Sequence, residues 1–310
     1  MRFLLLFLPL LLSALEFKVA TYNVENLFDA QREGGEYEEY IPNNKHGWNE
    51  TMLQIKLRNL AHVIADINAD IIVLEEVENK AVLQKLNATL GAKAYPYIFY
   101  PTKKERVGIE TALLSRFPIE KTSTITLPDQ ARGIHKVTVT IENKPLDFYI
   151  NHWPAYIEKE DERLVYAKKL HVLLESEQRR EFIVLGDFNS PYFEQKGHWG
   201  MGLVTFLQAG NKTAPLYNLW YELPQNRRYS HSYGKQKNAL DHIIIPKSMM
   251  DGKGIEYTPS SFNVFMRPYM LDENGNPNRW QISERGRGEH QGIGFSDHFP
   301  LTAIFHTVQD

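Results

Sequence analysis

The chain has 310 residues, 43% of them hydrophobic, which is enough for the core of one large α/β domain and excludes a disordered or fibrous polymer. A formal net charge of −3 excludes a global basic field, so any attraction to a polyanion must be local. There is no cysteine, which rules out disulfides and thiolate chemistry and removes any hazard from an oxidising compartment.

At the N-terminus, Arg2 precedes an apolar run from Phe3 to Leu12, followed by the small residues Ser13 and Ala14. The run is shorter than the about 20 residues that span a bilayer and matches a secretory leader. The expected organisation is a signal peptide over residues 1–15 and one domain over 16–310, exported to the periplasm or secreted. Phe17 to Asn23 alternates and ends in polar residues, which predicts a strand. Leu53, Leu57, Leu60, Ile64 and Ile67 recur at helical spacing and predict an amphipathic helix. Asp70 to Leu74 is apolar after its first residue, as in a strand covered on both faces, and ends at Glu75 and Glu76.

Further strands are predicted over Glu110 to Leu114, Ile134 to Ile141, Leu146 to Ile150, Phe182 to Leu185, Leu240 to Ile245 and Phe299 to Phe305. A second helix is predicted from Lys159 to Glu177, with Leu164, Ala167, Leu170 and Leu174 on one face. Met250 to Gly292 is rich in Gly, Pro, Asn and charge and reads as long surface loops. Basic clusters at 103–106, Arg179 and Arg180, Arg227 and Arg228, and Arg285 and Arg287 read as solvated faces or local phosphate contacts.

Polar residues repeatedly close the apolar strands. Asn23, Glu76, Asn151 and His152, and Asp187 and Asn189 each follow one; Asp241 opens LDHIII, and Asp297 and His298 precede the last strand. One such residue is an ordinary turn former. Six coincidences in one chain point to a site at the strand ends.

The segments TYNVENL, VLEEVEN, INHWP, VLGDFNS, LDHIII and GFSDHFPL, in that order, resemble the signatures of the endonuclease/exonuclease/phosphatase superfamily, the deoxyribonuclease I-like proteins. The likeness runs from about residue 17 to 306 and is greatest to exported bacterial nuclease-like members. It implies a four-layer α/β sandwich: two mostly antiparallel β-sheets packed face to face, helices outside, and the site at one edge.

The resemblance also implies the chemistry, a metal-dependent attack of activated water on phosphorus. Glu76 is the expected ligand of Mg²⁺, or of Mn²⁺, with Asn23 and Asp297 completing or orienting the shell. Glu75 competes on sequence alone, but strand alternation turns it away from Glu76. Asp187 and Asn189 would position the water and bind phosphoryl oxygens. His298, oriented by Asp241, is the other candidate for general base or transition-state stabiliser, and which of Asp187 and His298 takes the proton stays open. His152 would donate to a phosphate oxygen or the leaving group, with Glu110 as the carboxylate that raises its pKa. Arg132 would contact phosphate, with Arg116 as competitor. Where relatives often carry Arg-Gly-Ile-Asp, this chain has Val107, Gly108, Ile109 and Glu110. His46, His62, His135, His171, His198, His231, His242 and His290 read as structural or surface residues.

A nuclease acting on DNA or RNA as a monomer, with no protein partner, is the leading expectation. A sphingomyelinase or another phospholipid or inositol-phosphate phosphodiesterase or phosphatase is the alternative. A lipid substrate would call for an exposed apolar hairpin, for which Tyr95 to Tyr100 and Phe262 to Met270 are the candidates. A catalytically inactive binding module would have lost Glu76, Asp187 or His298, and all three are present.

Overall fold

In the computed structural model the described residues are 14–102, 108–127, 130, 132–176, 181–195, 199–234 and 236–309. The predicted leader up to residue 13, the basic clusters at 103–106 and 179–180, Val107, Glu177 and His198 lie outside them. The strands in chain order are β1 (Glu16–Leu27), β2 (Ile71–Val77), β3 (Tyr97–Phe99), β4 (Glu110–Ser115), β5 (Ile119–Ile125), β6 (Ile134–Ile141), β7 (Lys144–His152) and β8 (Phe182–Asp187). They continue with β9 (Ala209–Gly210), β10 (Leu216–Asn218), β11 (His231–Tyr233), β12 (Gln236–Asn238), β13 (Asp241–Pro246), β14 (Ile255–Tyr257), β15 (Asn263–Val264) and β16 (Leu301–Thr307). The helices are α1 (Glu50–Ile67), α2 (Lys80–Thr89) and α3 (Glu160–Ser176).

One sheet has the order β14-β16-β1-β2-β4-β3, with β15 also on β16; the other runs β5-β6-β7-β8-β13-β10-β9. Both are mostly antiparallel, and the parallel pairs are β1 with β2, β7 with β8 and β9 with β10. Alternation explains the layers. In β7, Leu146, Phe148 and Ile150 enter the core between the sheets, while Tyr149 turns outward. In β13, Ile243 and Ile245 point inward and Ile244 outward, onto the cluster that includes Tyr166, Ala167 and Leu170 of α3. Helices α1 and α2 cover the outer face of the first sheet, so the four-layer α/β sandwich expected from sequence is the fold. Asn49 and Asn79 start these helices by accepting from the Met52 and Val82 amides.

One expectation about loops is corrected. Residues 250–292 contribute Phe262, Phe265, Met270 and Trp280 to the core, so the stretch is pinned down rather than a run of surface loops. The sequence hid this because Gly, Pro and Asn punctuate it into pieces too short to show a period. Of the two segments weighed as membrane hairpin or core, Phe262, Val264, Phe265 and Met270 of one are covered, and in the other Tyr95 and Phe99 are covered while Tyr97 is 38% exposed. Among the described residues no helix is long and apolar enough to cross a membrane.

His242 lies on the outer face of β13, where Nδ1 accepts from Asn218 (2.9 Å) and Nε2 donates to the Ser190 carbonyl (2.8 Å). The ring is thus held neutral, and burial pushes its pKa down to about 4. Above the unfolded value of about 6.5 both states are neutral; as pH falls, the unfolded chain binds the proton first. Stability is therefore lost as pH falls from about 6.5 through about 4, by up to about 3 kcal/mol from this group. His242→Gln, which can keep both hydrogen bonds, should flatten that part of the stability profile in urea unfolding across pH. An unchanged slope would show that His242 does not carry it.

Candidate active site

The parallel pairs create the site. Strands β1 and β2 run the same way, and their regular pairing breaks just after Asn23 and Glu75, at Glu76; β7 and β8 end at His152 and Asp187. Their antiparallel neighbours begin at this edge, with Asp241 opposite Asp187 at the start of β13 and Leu301 of β16 opposite Thr21. Asp297 and His298 lie in the loop just before β16, which starts at Leu301 rather than at Phe299.

Two glycines permit the close approach of these segments. Gly186 has φ 126°, and a Cβ there would stand 2.0 Å from the Asn151 carbonyl oxygen. Gly294 has φ 93°, and its Cβ would stand 1.8 Å from the Arg279 carbonyl oxygen. From there Ser296 donates to the Asn23 carbonyl (2.6 Å) and accepts from the His298 amide (3.1 Å), which ties the Asp-His loop to β1.

Glu76 occupies a bulge. The pairing of β2 shifts register against both β1 and β4 here, and Glu76 itself has φ 66°. Simple alternation therefore stops at this residue, although it led to Glu76. Glu75 stays in the ladder opposite Asn23, fully buried, and accepts from Thr21 Oγ1 (2.6 Å). Burial, then the charge of Asp241, pushes the Glu75 carboxyl well up and favours its neutral form. Glu76 instead accepts from Asn23 Nδ2 (3.0 Å) and the Asn26 amide (2.9 Å).

Asp187 is the hub. Its Oδ2 accepts from Asn23 Nδ2 (3.1 Å) and Asn189 Nδ2 (3.3 Å), and its Oδ1 from the Asn189 amide (2.8 Å). The same Oδ2 stands 3.8 Å from His152 Nε2 and 4.0 Å from His298 Nε2. Burial, then Asp241, raises Asp187 to about 7. His298 Nδ1 bonds Asp241 Oδ2 at 2.7 Å. Burial opposes charge on that ring, but Asp241, Asp187 and Asp297 overcome it and hold its pKa well above the usual value. His152 goes the opposite way: burial, then Arg132 and His298, push it well down.

Two expectations change. Glu110 accepts from His135 Nε2 (3.1 Å) across the sandwich and does not pair with His152, whose Nδ1 is buried without a hydrogen-bond partner. The expected upward shift of His152 is replaced by a downward one, because burial, with the charges of Arg132 and His298, disfavours the protonated ring. Asn23 offers its amide nitrogen to Glu76 and Asp187 while its oxygen accepts from the Glu25 amide (2.9 Å), which matches the orienting role among the two expected for it. Among His, Asp and Glu side chains of the described residues, Glu76 also groups at ligand spacing with His152 and Asp187, and Asp297 with His231 and His298.

Of the two arginines, Arg116 pairs with Asp70 (3.0 Å) at the far end of β2. Arg132 is beside the site, its Nε donating to the His152 carbonyl (3.1 Å). Sequence reading missed His231, whose Nε2 is 4.0 Å from Asp297, and Glu25, which is buried on Arg279 and the Trp280 amide. Burial, then Asp297, raises Glu25 to about 7. The signal for Glu25 was present in TYNVENL, but its partner lies 254 residues away.

Comparison with known proteins agrees with this architecture. The model of the endonuclease/exonuclease/phosphatase family matches residues 18–307. Truncated TDP2 of Caenorhabditis elegans superposes with a TM-score of 0.60 at 16% identity, covering 94% of this chain and 97% of that one. TDP2 of D. rerio, solved with a single-strand DNA product, gives 0.59 at 15%, covering 94% and 99%. ANGEL2, a 2',3'-cyclic phosphatase solved with adenosine-2',3'-vanadate, gives 0.58 at 15%, covering 96% and 97%. At such identities the likeness is one of fold. No curated protein matches the chain by sequence. With the family model spanning nearly its whole length, the chain belongs to the endonuclease/exonuclease/phosphatase family, whose members hydrolyse phosphoric esters and are typically dependent on divalent metal.

Proposed function

We propose that the protein is an exported, Mg²⁺- or Mn²⁺-dependent phosphodiesterase that hydrolyses nucleic acid. The observation that carries this reading is the Asp187 carboxylate, raised to about 7 and set between a neutral and a cationic imidazole. A carboxylate near neutrality is suited to accept a proton from water at working pH. Asp187 is therefore the better candidate for the base, and Asn189 holds its geometry. As the bond from the water oxygen to phosphorus forms, the bond from phosphorus to the leaving oxygen breaks, and the water proton passes to Asp187. His298, kept charged by Asp241, neutralises the developing charge. His152 stays neutral, with Nε2 facing Glu76 and Asp187, and is placed to donate a hydrogen bond to a phosphoryl oxygen.

The donor set fits a hard divalent cation. Glu76 and Asp297 keep partial solvent access, and burial followed by the charge of Asp297 raises Glu76. A cation beside Glu76 would relieve that repulsion; Mg²⁺ needs only one or two carboxylates and keeps its waters, while Mn²⁺ tolerates imidazole as well. When bound, the metal would neutralise phosphoryl oxygens and favour ionisation of water. The burial of Phe262, Val264, Phe265 and Met270, and of Tyr95 and Phe99, counts against a lipid substrate.

Mg²⁺ or Mn²⁺ should raise the unfolding temperature of the wild type and leave Glu76→Gln unmoved, and excess chelator should abolish hydrolysis. Full activity in chelator would overturn metal dependence. Asp187→Asn and His298→Ala should each lower kcat by roughly a hundredfold or more while the protein stays folded by circular dichroism. A near-native rate in either variant would remove that residue from the mechanism. A panel of single- and double-stranded DNA, RNA, sphingomyelin vesicles and an inositol polyphosphate tests the substrate class, and hydrolysis confined to the last two would overturn the nuclease reading.

A further inference from the structure

Four residues past His152 the chain does something costly. Tyr156 has φ 71° and ψ 141°, a backbone region that glycine occupies freely and a tyrosine only under strain. Its side chain is 72% exposed, and the next residue, Ile157, is 57% exposed. Nothing in the core asks for either position.

The conformation is nonetheless held firmly. Arg163 of α3 is fully buried, and its guanidinium donates to the carbonyls of Pro154 (2.8 Å), Tyr156 (2.6 Å) and Ile157 (3.2 Å). Glu160 fixes the same guanidinium through Nε (2.9 Å). A buried charge with this many bonds over-determines the loop, and the loop's outcome is an aromatic ring standing in solvent beside the site. Trp153, buried against Phe188, anchors the start of the same loop.

A second tyrosine is also part-exposed. Tyr37 is 41% exposed and rests edge-on against Phe28 at 5.3 Å. Burial raises its hydroxyl pKa, as does the Glu76 carboxylate, while Arg132 opposes them and Tyr156 adds a smaller upward push. Tyr37 thus lies within electrostatic reach of Glu76, Arg132 and Tyr156. A polyanionic chain drawn to Arg132 would pass close to exposed aromatic rings.

We propose that Tyr156 is a specificity-determining residue that stacks a nucleobase next to the scissile phosphate. The inference rests on the nucleic-acid reading above and deepens it: the substrate is a strand whose bases are unpaired at the point of cleavage, because only an unstacked base offers its face to a ring. Stacking tolerates any base, so the preference is for the presence of a base and not for its identity. Arg132 supplies the charge, Tyr156 the face.

The test compares two oligonucleotides of equal length and charge, one with normal bases and one with abasic spacers flanking the cleavable bond. The wild type should favour the base-bearing strand in kcat/KM by about tenfold or more, the scale of one base on one aromatic ring. Tyr156→Ala should lose that preference, acting on the two strands equally, whereas Tyr156→Phe should keep it. Tyr156→Gly, which relieves the strain, should unfold at a higher temperature than the wild type and yet lose the preference in the same way. A Tyr156→Ala enzyme that still prefers the base-bearing strand overturns the stacking role while leaving the nuclease reading in place. A wild type that cleaves neither strand but hydrolyses another phosphoric ester overturns both.

Discussion

The structure depends on the parallel pairing at the centre of each sheet. Strands that run side by side in one direction require a crossover, and here α1 makes one and α3 the other. The crossover returns each second strand to the same starting edge, so all four strands finish together. Asn23, Glu76, His152 and Asp187 are what they carry at that end. Antiparallel neighbours must begin where these strands stop, which delivers Asp241 and the loop holding Asp297 and His298. The site therefore follows from topology, and the layers behind it exist to keep four strand ends in register.

Bringing so many carboxylates under cover has an electrostatic cost, which appears as Asp187, Glu76, Glu75 and Glu25 all raised by burial. Cations offset part of it. His298 bonds Asp241, Arg279 bonds Glu25 and stands 3.7 Å from Asp297, and Arg132 is placed beside His152. Lys56, buried in α1, donates to the Glu25 carbonyl at 2.6 Å and lies 5.0 Å from the Trp280 ring centre, with its pKa lowered to about 8 by burial. The balance leaves His298 and Asp297 charged and Asp187 close to neutrality, so one cluster of like groups holds distinct protonation states. That separation is what lets one residue accept a proton while its neighbour stabilises charge.

Sequence carried the strand ends because an apolar run of four to eight residues closed by Asn, Asp, Glu or His is visible without any partner. Most of the sandwich was legible in the same way, as was a structural place for His242. What failed was the choice of partners between layers. Glu110 and His135 belong to different sheets, and register within a sheet says nothing about which side chains meet across the gap. Glu25 and Arg279 meet because the 250–292 stretch folds back over β1, a path that composition disguised. Arg163 was hidden by its type, since arginine on a helix reads as surface until the carbonyls it serves are seen.

The strained residues tell how the edge is held. Glu25, Asn26, Glu76, Tyr156 and Asn189 all have positive φ, and all lie where β1, β2, β7 and β8 give way to loops. Such conformations cost of order 1–3 kcal/mol each and persist only where surrounding contacts over-determine them. Here the carboxylates supply the contacts. Glu76 accepts from the Asn26 amide, and Asp187 accepts from the Asn189 amide, so each acidic group fixes a strained neighbour as well as facing the site. Backbone geometry and charge are thus one device: the strained turns point the carboxylates at one another, and the carboxylates keep the turns from relaxing. Truncating either acid would loosen the backbone that presents the rest of the site, whereas the amide replacement retains the acceptor oxygen and separates the loss of charge from the loss of shape.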